Sequence, residues 1–197
     1  MSRTFKEINV GGTSDAGDIP HIVEMMKLFN PKTVVDVGAG CFGRNGYLLR
    51  QYVENKYRKL YGVDYMSILA IEAYQPNADY LATLGIYNNI EVRQALEYFE
   101  IWNTLEFFDL ITCTHVLEHH YKDAGWKLLE LMRNVAKKGI ILACPLGEYA
   151  HTDANNPFQN HLSSWTPDEI AEKYPITTPI ITRNNVGKEE FLIGIPA

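Results

Sequence analysis

The chain has 197 residues, of which 46% are hydrophobic and 21% charged, with a formal net charge of −6. That is the size and make-up of one globular domain, able to build a core without disulfide or metal staples. The charge is spread along the sequence with no basic block, so the electrostatic footprint of a nucleic-acid binder is missing.

After a small, polar opening through Gly11 to Asp18, residues 19–29 place Ile22, Met25, Met26 and Phe29 at helical spacing. Asp18 and Pro20 fit a helix start there, and Asn30-Pro31 a stop. Residues 34–37 read as a strand carrying Asp36, followed by the glycine turn Gly38-Ala39-Gly40-Cys41-Phe42-Gly43 and a helix over 46–56. Residues 59–63 read as the next strand, ending in Asp64. Residues 67–73 look helical and 76–79 break them. A short strand at 90–92 and a stronger one at 107–113 precede an amphipathic helix over 125–137, which Gly139 ends before a buried-type strand at 140–143. Thr166-Pro167-Asp168-Glu169 carries the signature of another helix start, with Thr166 as cap and Glu169 three residues on. Residues 176–182 and 191–195 flank a turn-rich link and predict a closing hairpin. Strands alternating with helices before such a hairpin describe an α/β protein, mostly parallel, with one antiparallel edge. No linker or repeat divides the chain, so 1–197 is expected to be a single domain.

The three cysteines, Cys41, Cys113 and Cys144, are odd in number and far apart. That argues against a disulfide framework and against a thiolate zinc site. Nothing approaches twenty consecutive apolar residues and no signal peptide opens the chain, so a cytoplasmic protein away from membranes is expected.

The glycine turn says most about function. Strand, glycine-rich turn and helix, with an acid about twenty positions further on, form the pattern in which backbone approaches a nucleoside and a carboxylate takes its ribose. That placement falls on Asp64. The pattern serves a nicotinamide cofactor as well as an adenosyl one.

With VVDVGAGCFG, the acid of LYGVDY, RQALEYF, FDLITCTHVLEHH, GIILACP and the terminal hairpin in this order, the chain resembles the class I S-adenosylmethionine-dependent methyltransferases of the small-molecule subgroup over nearly its whole length. The resemblance implies a Rossmann-like, mostly parallel seven-stranded sheet with helices on both faces and an antiparallel C-terminal hairpin. It implies S-adenosyl-L-methionine as cofactor, with Asp36, Gly38, Ala39 and Gly40 at its methionine part. Asp64 would then hold the ribose, with Tyr65 and Met66 beside the adenine. Gln94 and Ala95 stand where the family often places an acid for the adenine amino group; Gln94 departs from that, although an amide oxygen accepts the same hydrogen bond. Thr114 and His115 would line the passage from the sulfonium to the acceptor.

His115 and His119 have the spacing of a zinc-binding helix, but HVLEH lacks a Glu directly after its first His, so no metal is expected. Residues 145–165 form a long polar stretch of little periodicity, expected to be a substrate lid. Its amides and hydroxyls suit a polar small-molecule acceptor. His161, His151 and His115 are the candidate catalytic groups, since an acceptor hydroxyl must lose a proton and histidine titrates near neutrality. The expected function is methyl transfer to an O or N atom of a polar small molecule. An NAD-linked oxidoreductase remains the rival enzyme, opposed by VLEHH and the terminal hairpin. A noncatalytic cofactor-binding subunit remains the other, and a homodimer or partner subunit stays open.

Overall fold

A computed structural model describes residues 17–54, 66–102, 108–148, 150–184 and 187–197. The strand expected at 59–63, together with Asp64 and Tyr65, lies outside the described residues. Within them the elements are α1 (Ile19–Phe29), β1 (Thr33–Val37), α2 (Arg44–Leu48), β2 (Ser67–Glu72), α3 (Gln75–Leu84), β3 (Asn89–Val92) and α4 (Ala95–Trp102). Then come β4 (Phe108–Thr114), α5 (Lys122–Val135), β5 (Ala136–Pro145), α6 (Pro167–Ala171), β6 (Ile180–Arg183) and β7 (Glu189–Pro196). Short 3₁₀ turns occupy Leu117–His119 and Pro157–Gln159.

All the described strands join one sheet in the order β3-β2-β1-β4-β5-β7-β6. The first five pair in parallel, and β7 runs antiparallel between β5 and β6. This is the mostly parallel seven-stranded sheet with a terminal hairpin that the sequence led us to expect. Side chains alternate between its faces. Val35, Val37, Ile111 and Ile140 pack with Phe99 of α4 and Leu128, Leu129 and Met132 of α5. Val34, Ile68, Leu110 and Ile141 face the other way, onto Ile22 and Met26 of α1 and Leu48 of α2. Each fully buried side chain of this size contributes about 1.5–3 kcal/mol, so the two layers fix the sheet between their helices.

Three local expectations change. Residues 67–73 are not helical: Ser67–Glu72 is β2, paired with β1 from Thr33↔Ser67 to Val37↔Ile71. A strand buried on both faces is apolar throughout and carries no alternation, so its sequence reads as helix as easily as strand. Pro76 therefore opens α3 in its first turn instead of breaking a helix. The helix expected over 46–56 is the five-residue α2, which loosens into a π-helical turn over Leu49–Glu54. At α6 the capping box is present as expected, Thr166 and Glu169 each bonding the other's backbone N–H. No helix among the described residues is long and apolar enough to cross a membrane.

Candidate functional site

Where β1 ends, the chain turns sharply. Gly38 and Gly40 both have φ near +64°, in the left-handed region. Gly38 N–H donates to Ile71 O at 2.8 Å, and Gly40 N–H donates to Glu72 Oε2 at 2.9 Å. A methyl group at Gly38 would lie 2.4 Å from Val116 Cγ2. The turn is thus pressed between the ends of β2 and β4, and its second glycine is tied to the acid that closes β2.

Under the turn sits Asp36, fully buried. Tyr87 donates to its Oδ2 at 2.5 Å; Thr112 and Asn45 donate to its Oδ1 at 2.7 Å and 3.0 Å. Asn45 also donates to Thr114 Oγ1 at 2.9 Å. Burial raises the Asp36 pKa, against the pull of the three donors. The carboxylate therefore braces the turn from below and does not line the cavity above, a different placement from the ligand contact expected of it.

The cavity lies across the carboxyl ends of β1, β2 and β4 and has a volume of about 800 Å³, at the position where open α/β sheets bind ligands. Of the residues singled out in the sequence, Gly38, Ala39, Gly40, Gln94, Ala95, Thr114, His115, His151 and His161 line it. Met66 does not. It enters β2 at the strand's opposite end, with its side chain in the core and its N–H bonded to Glu54 Oε1. The acid that closes the second strand is Glu72, which also accepts from Tyr74 N–H at 2.9 Å. Burial raises its pKa. Sequence reading missed it because residues 67–73 were read as a helix; an acid ending the apolar run SILAIE was the available signal.

Glu118 and His119 line the cavity as well, and so does Glu190, which sequence reading missed. His115 holds a left-handed backbone, φ +57°, and its N–H donates to Ala143 O at 2.8 Å. Its Nδ1 lies 3.5 Å from Glu118 Oε1 and its Nε2 3.6 Å from Glu190 Oε2. Burial disfavours the imidazolium, but the two carboxylates outweigh it and hold the His115 pKa above the usual histidine value. Glu118 moves oppositely: burial would raise it, and His115 and His119 bring it below the usual carboxylate range. The His161 ring lies 5.0 Å from that of His119 and 5.4 Å from that of His151, centroid to centroid. Histidines from two segments thus share one end of the cavity.

In sequence, the chain matches no protein-family model and no curated protein. In structure, it is similar to the Burkholderia thailandensis 1,6-didemethyltoxoflavin-N1-methyltransferase, solved with 1,6-didemethyltoxoflavin and S-adenosylhomocysteine. The TM-score is 0.65 at 16% identity, covering 93% of this chain and 79% of that one. The chain has the fold of these methyltransferases. It is also similar to magnesium protoporphyrin IX methyltransferase from Synechocystis PCC 6803 with S-adenosylmethionine bound, at TM-score 0.60 and 12% identity over 97% and 88% of the two chains. A putative O-methyltransferase from Klebsiella pneumoniae gives TM-score 0.63 at 14% identity, over 96% and 84%. At such identities the likeness is one of methyltransferase fold, and it agrees with the strand order and the turn after β1.

Proposed function

We propose that this protein is an S-adenosylmethionine-dependent methyltransferase acting on an oxygen or nitrogen atom of a polar small molecule. The observation that supports it most is the joining of the glycine turn to a strand-ending acid, Gly40 N–H to Glu72, in a cavity whose far end is built from histidines. The donor set suits an adenosyl ligand. Glu72 offers carboxylate oxygen to ribose hydroxyls, the role expected of Asp64. Gly38, Ala39 and Gly40 offer close approach of bare backbone. Gln94 offers its amide oxygen to the adenine amino group, with Ala95 beside it. Asp36 acts beneath them by fixing Asn45, Thr112 and Tyr87.

Bound there, the cofactor supplies a methyl group on a sulfonium whose leaving group is already positive. The chain's own residues contribute alignment and exclusion of water. Thr114 and His115 stand at the end of β4, between the donor wall and the histidines. The segment over residues 145–165 serves as the lid, bringing His151, Phe158, Gln159 and His161 to the cavity. An acceptor hydroxyl must also lose a proton, and His115, His151 and His161 line the chamber where it leaves. The polar rim of Gln159, Asn184 and Glu190 favours a hydrogen-bonding acceptor.

Calorimetry with S-adenosylmethionine, S-adenosylhomocysteine and NAD tests this reading. Binding of the first two without the third is expected; a protein indifferent to both adenosyl compounds removes the proposal. Glu72→Ala is expected to weaken S-adenosylhomocysteine binding about 10-fold or more, the effect of a lost charge-assisted hydrogen bond. Once an acceptor is found by labelled methyl transfer to metabolite extracts, alanine at His151 and at His161 is expected to lower kcat by about 10²-fold or more. Affinity for S-adenosylhomocysteine stays within a few-fold in both. Unchanged turnover in both variants would remove the histidines from the chemistry.

A further inference from the structure

We propose that Glu118, His119 and His161 form a binding site for one divalent transition-metal ion at the histidine end of the cavity. One ligand atom from each lies within 4.8 Å of the others. Ligands about 2.0–2.2 Å from a common tetrahedral ion stand about 3.3–3.6 Å apart, so closing on one asks the side chains to draw in by up to about 1.5 Å.

The carboxylate is the second observation. Glu118 is 2% exposed, and among the described residues neither of its oxygens accepts a hydrogen bond of ordinary geometry. Buried carboxylates ordinarily accept several donors, and one left without them is costly unless a cation stands by. His115 Nδ1, at 3.5 Å from Oε1, answers one oxygen at ion-pair range. A metal ion answers the other.

The imidazoles are held as ligands are held. His119 Nδ1 lies 3.2 Å from Asn160 O, an acceptor only, which makes Nδ1 the donor and leaves the lone pair on Nε2. Metal-bound histidines commonly have their other nitrogen fixed in this way. His161 comes from a different segment, yet its position relative to Glu118 is set by backbone: Leu162 and Ser163 N–H both donate to Glu118 O, at 2.7 Å and 3.2 Å. The three ligands are therefore registered to one another before any ion arrives. A second group, Asp18, His115 and Glu190, also lies within reach of a shared ion. Arg44 already occupies both oxygens of Asp18, at 2.7 Å and 3.1 Å, so that group carries no site.

Two imidazoles and one carboxylate suit zinc, ferrous iron or manganese better than magnesium or calcium, and such a triad leaves coordination positions open. All three residues line the cavity, so those positions face it. The ion's use there rests on the methyltransferase reading: it would take an oxygen or nitrogen of the acceptor as a ligand and ease its deprotonation. Its binding does not rest on that reading.

The test uses the untagged full chain, stripped with a chelator and titrated with Co²⁺ and Zn²⁺ by calorimetry and by the visible spectrum of Co²⁺. One ion per chain is expected, with the absorption of nitrogen and oxygen ligation. His119→Ala and His161→Ala should each weaken binding at least 10-fold, whereas His21→Ala, on the exposed face of α1, should not. Glu118→Gln keeps the shape and should weaken binding similarly; its thermal transition checks that it folds. No stoichiometric binding, or wild-type affinity in both histidine variants, overturns the site. S-adenosylhomocysteine binding is measured on the same stripped protein. Loss of the ion result with that binding intact overturns the metal site alone; the reverse overturns the methyl-donor reading alone.

Discussion

Tyr87 reaches Asp36 across 2.5 Å, from outside the strand that carries the acid. The donated bond favours the ionised carboxylate, and burial favours the neutral one, which leaves the folded pKa raised. A carboxyl with a raised pKa binds more protons folded than unfolded, so its contribution to stability is full below the unfolded value and is lost as pH rises through the folded one. Tyr87→Phe removes a donor and raises that pKa further. We expect the variant to lose about 1–3 kcal/mol in urea unfolding, with a larger loss at pH 8 than at pH 5. A pH-independent loss would show that the hydroxyl serves packing alone. At this scale the glycine turn was legible, because positive φ and a closely packed backbone demand glycine itself. The partners of Asp36 were not: Asn45, Tyr87 and Thr112 are 9, 51 and 76 positions away.

α5 shows what a single element must accommodate. Its Gly125 lies beneath Trp165, which is fully buried, and an added methyl would meet Trp165 Cζ2 at 2.5 Å. Alanine is the better helix former by about 1 kcal/mol, but overpacking against a rigid indole costs about 1–3 kcal/mol. Gly125→Ala is therefore expected to be destabilising in chemical unfolding, and a more stable variant would show that the indole can yield. The amphipathic spacing of α5 was plain in the sequence, as were the Thr166 capping box and the hairpin, because each is written in local chemistry. β2 was not. Leu69 and Ile71 turn to one face and Ile68 and Ala70 to the other, and both faces are covered, so no polar residue marks its period. Read as a helix, that segment hid Glu72, the acid at the strand's end.

For the molecule as a whole, a ligand bound only by the folded state raises stability by about 2.7 kcal/mol at 100 times its Kd. For a chain of this length that is a Tm increase of roughly 5–10 °C. S-adenosylhomocysteine is expected to produce it and NAD to produce none, in a thermal scan of the full chain. The architecture could be read in advance because alternation of element types decides it. At the histidine end, His115, His151 and His161 were named from the sequence and all line the cavity, whereas the packing of His119 against His161 was not legible, because the fold alone brings those two distant positions together. The segment that brings His151 and His161 is closed at its base: Leu146 bridges to Trp165, and Leu162 and Ser163 hang from the carbonyl of Glu118. A stretch with both feet tied is like the handle of a vessel, whose arc can be reshaped while the joint stays fast. Lengthening such an arc costs entropy only with the logarithm of its size. If the proposed methyl transfer holds, new acceptor preferences can be written into that arc without disturbing the sheet that holds it.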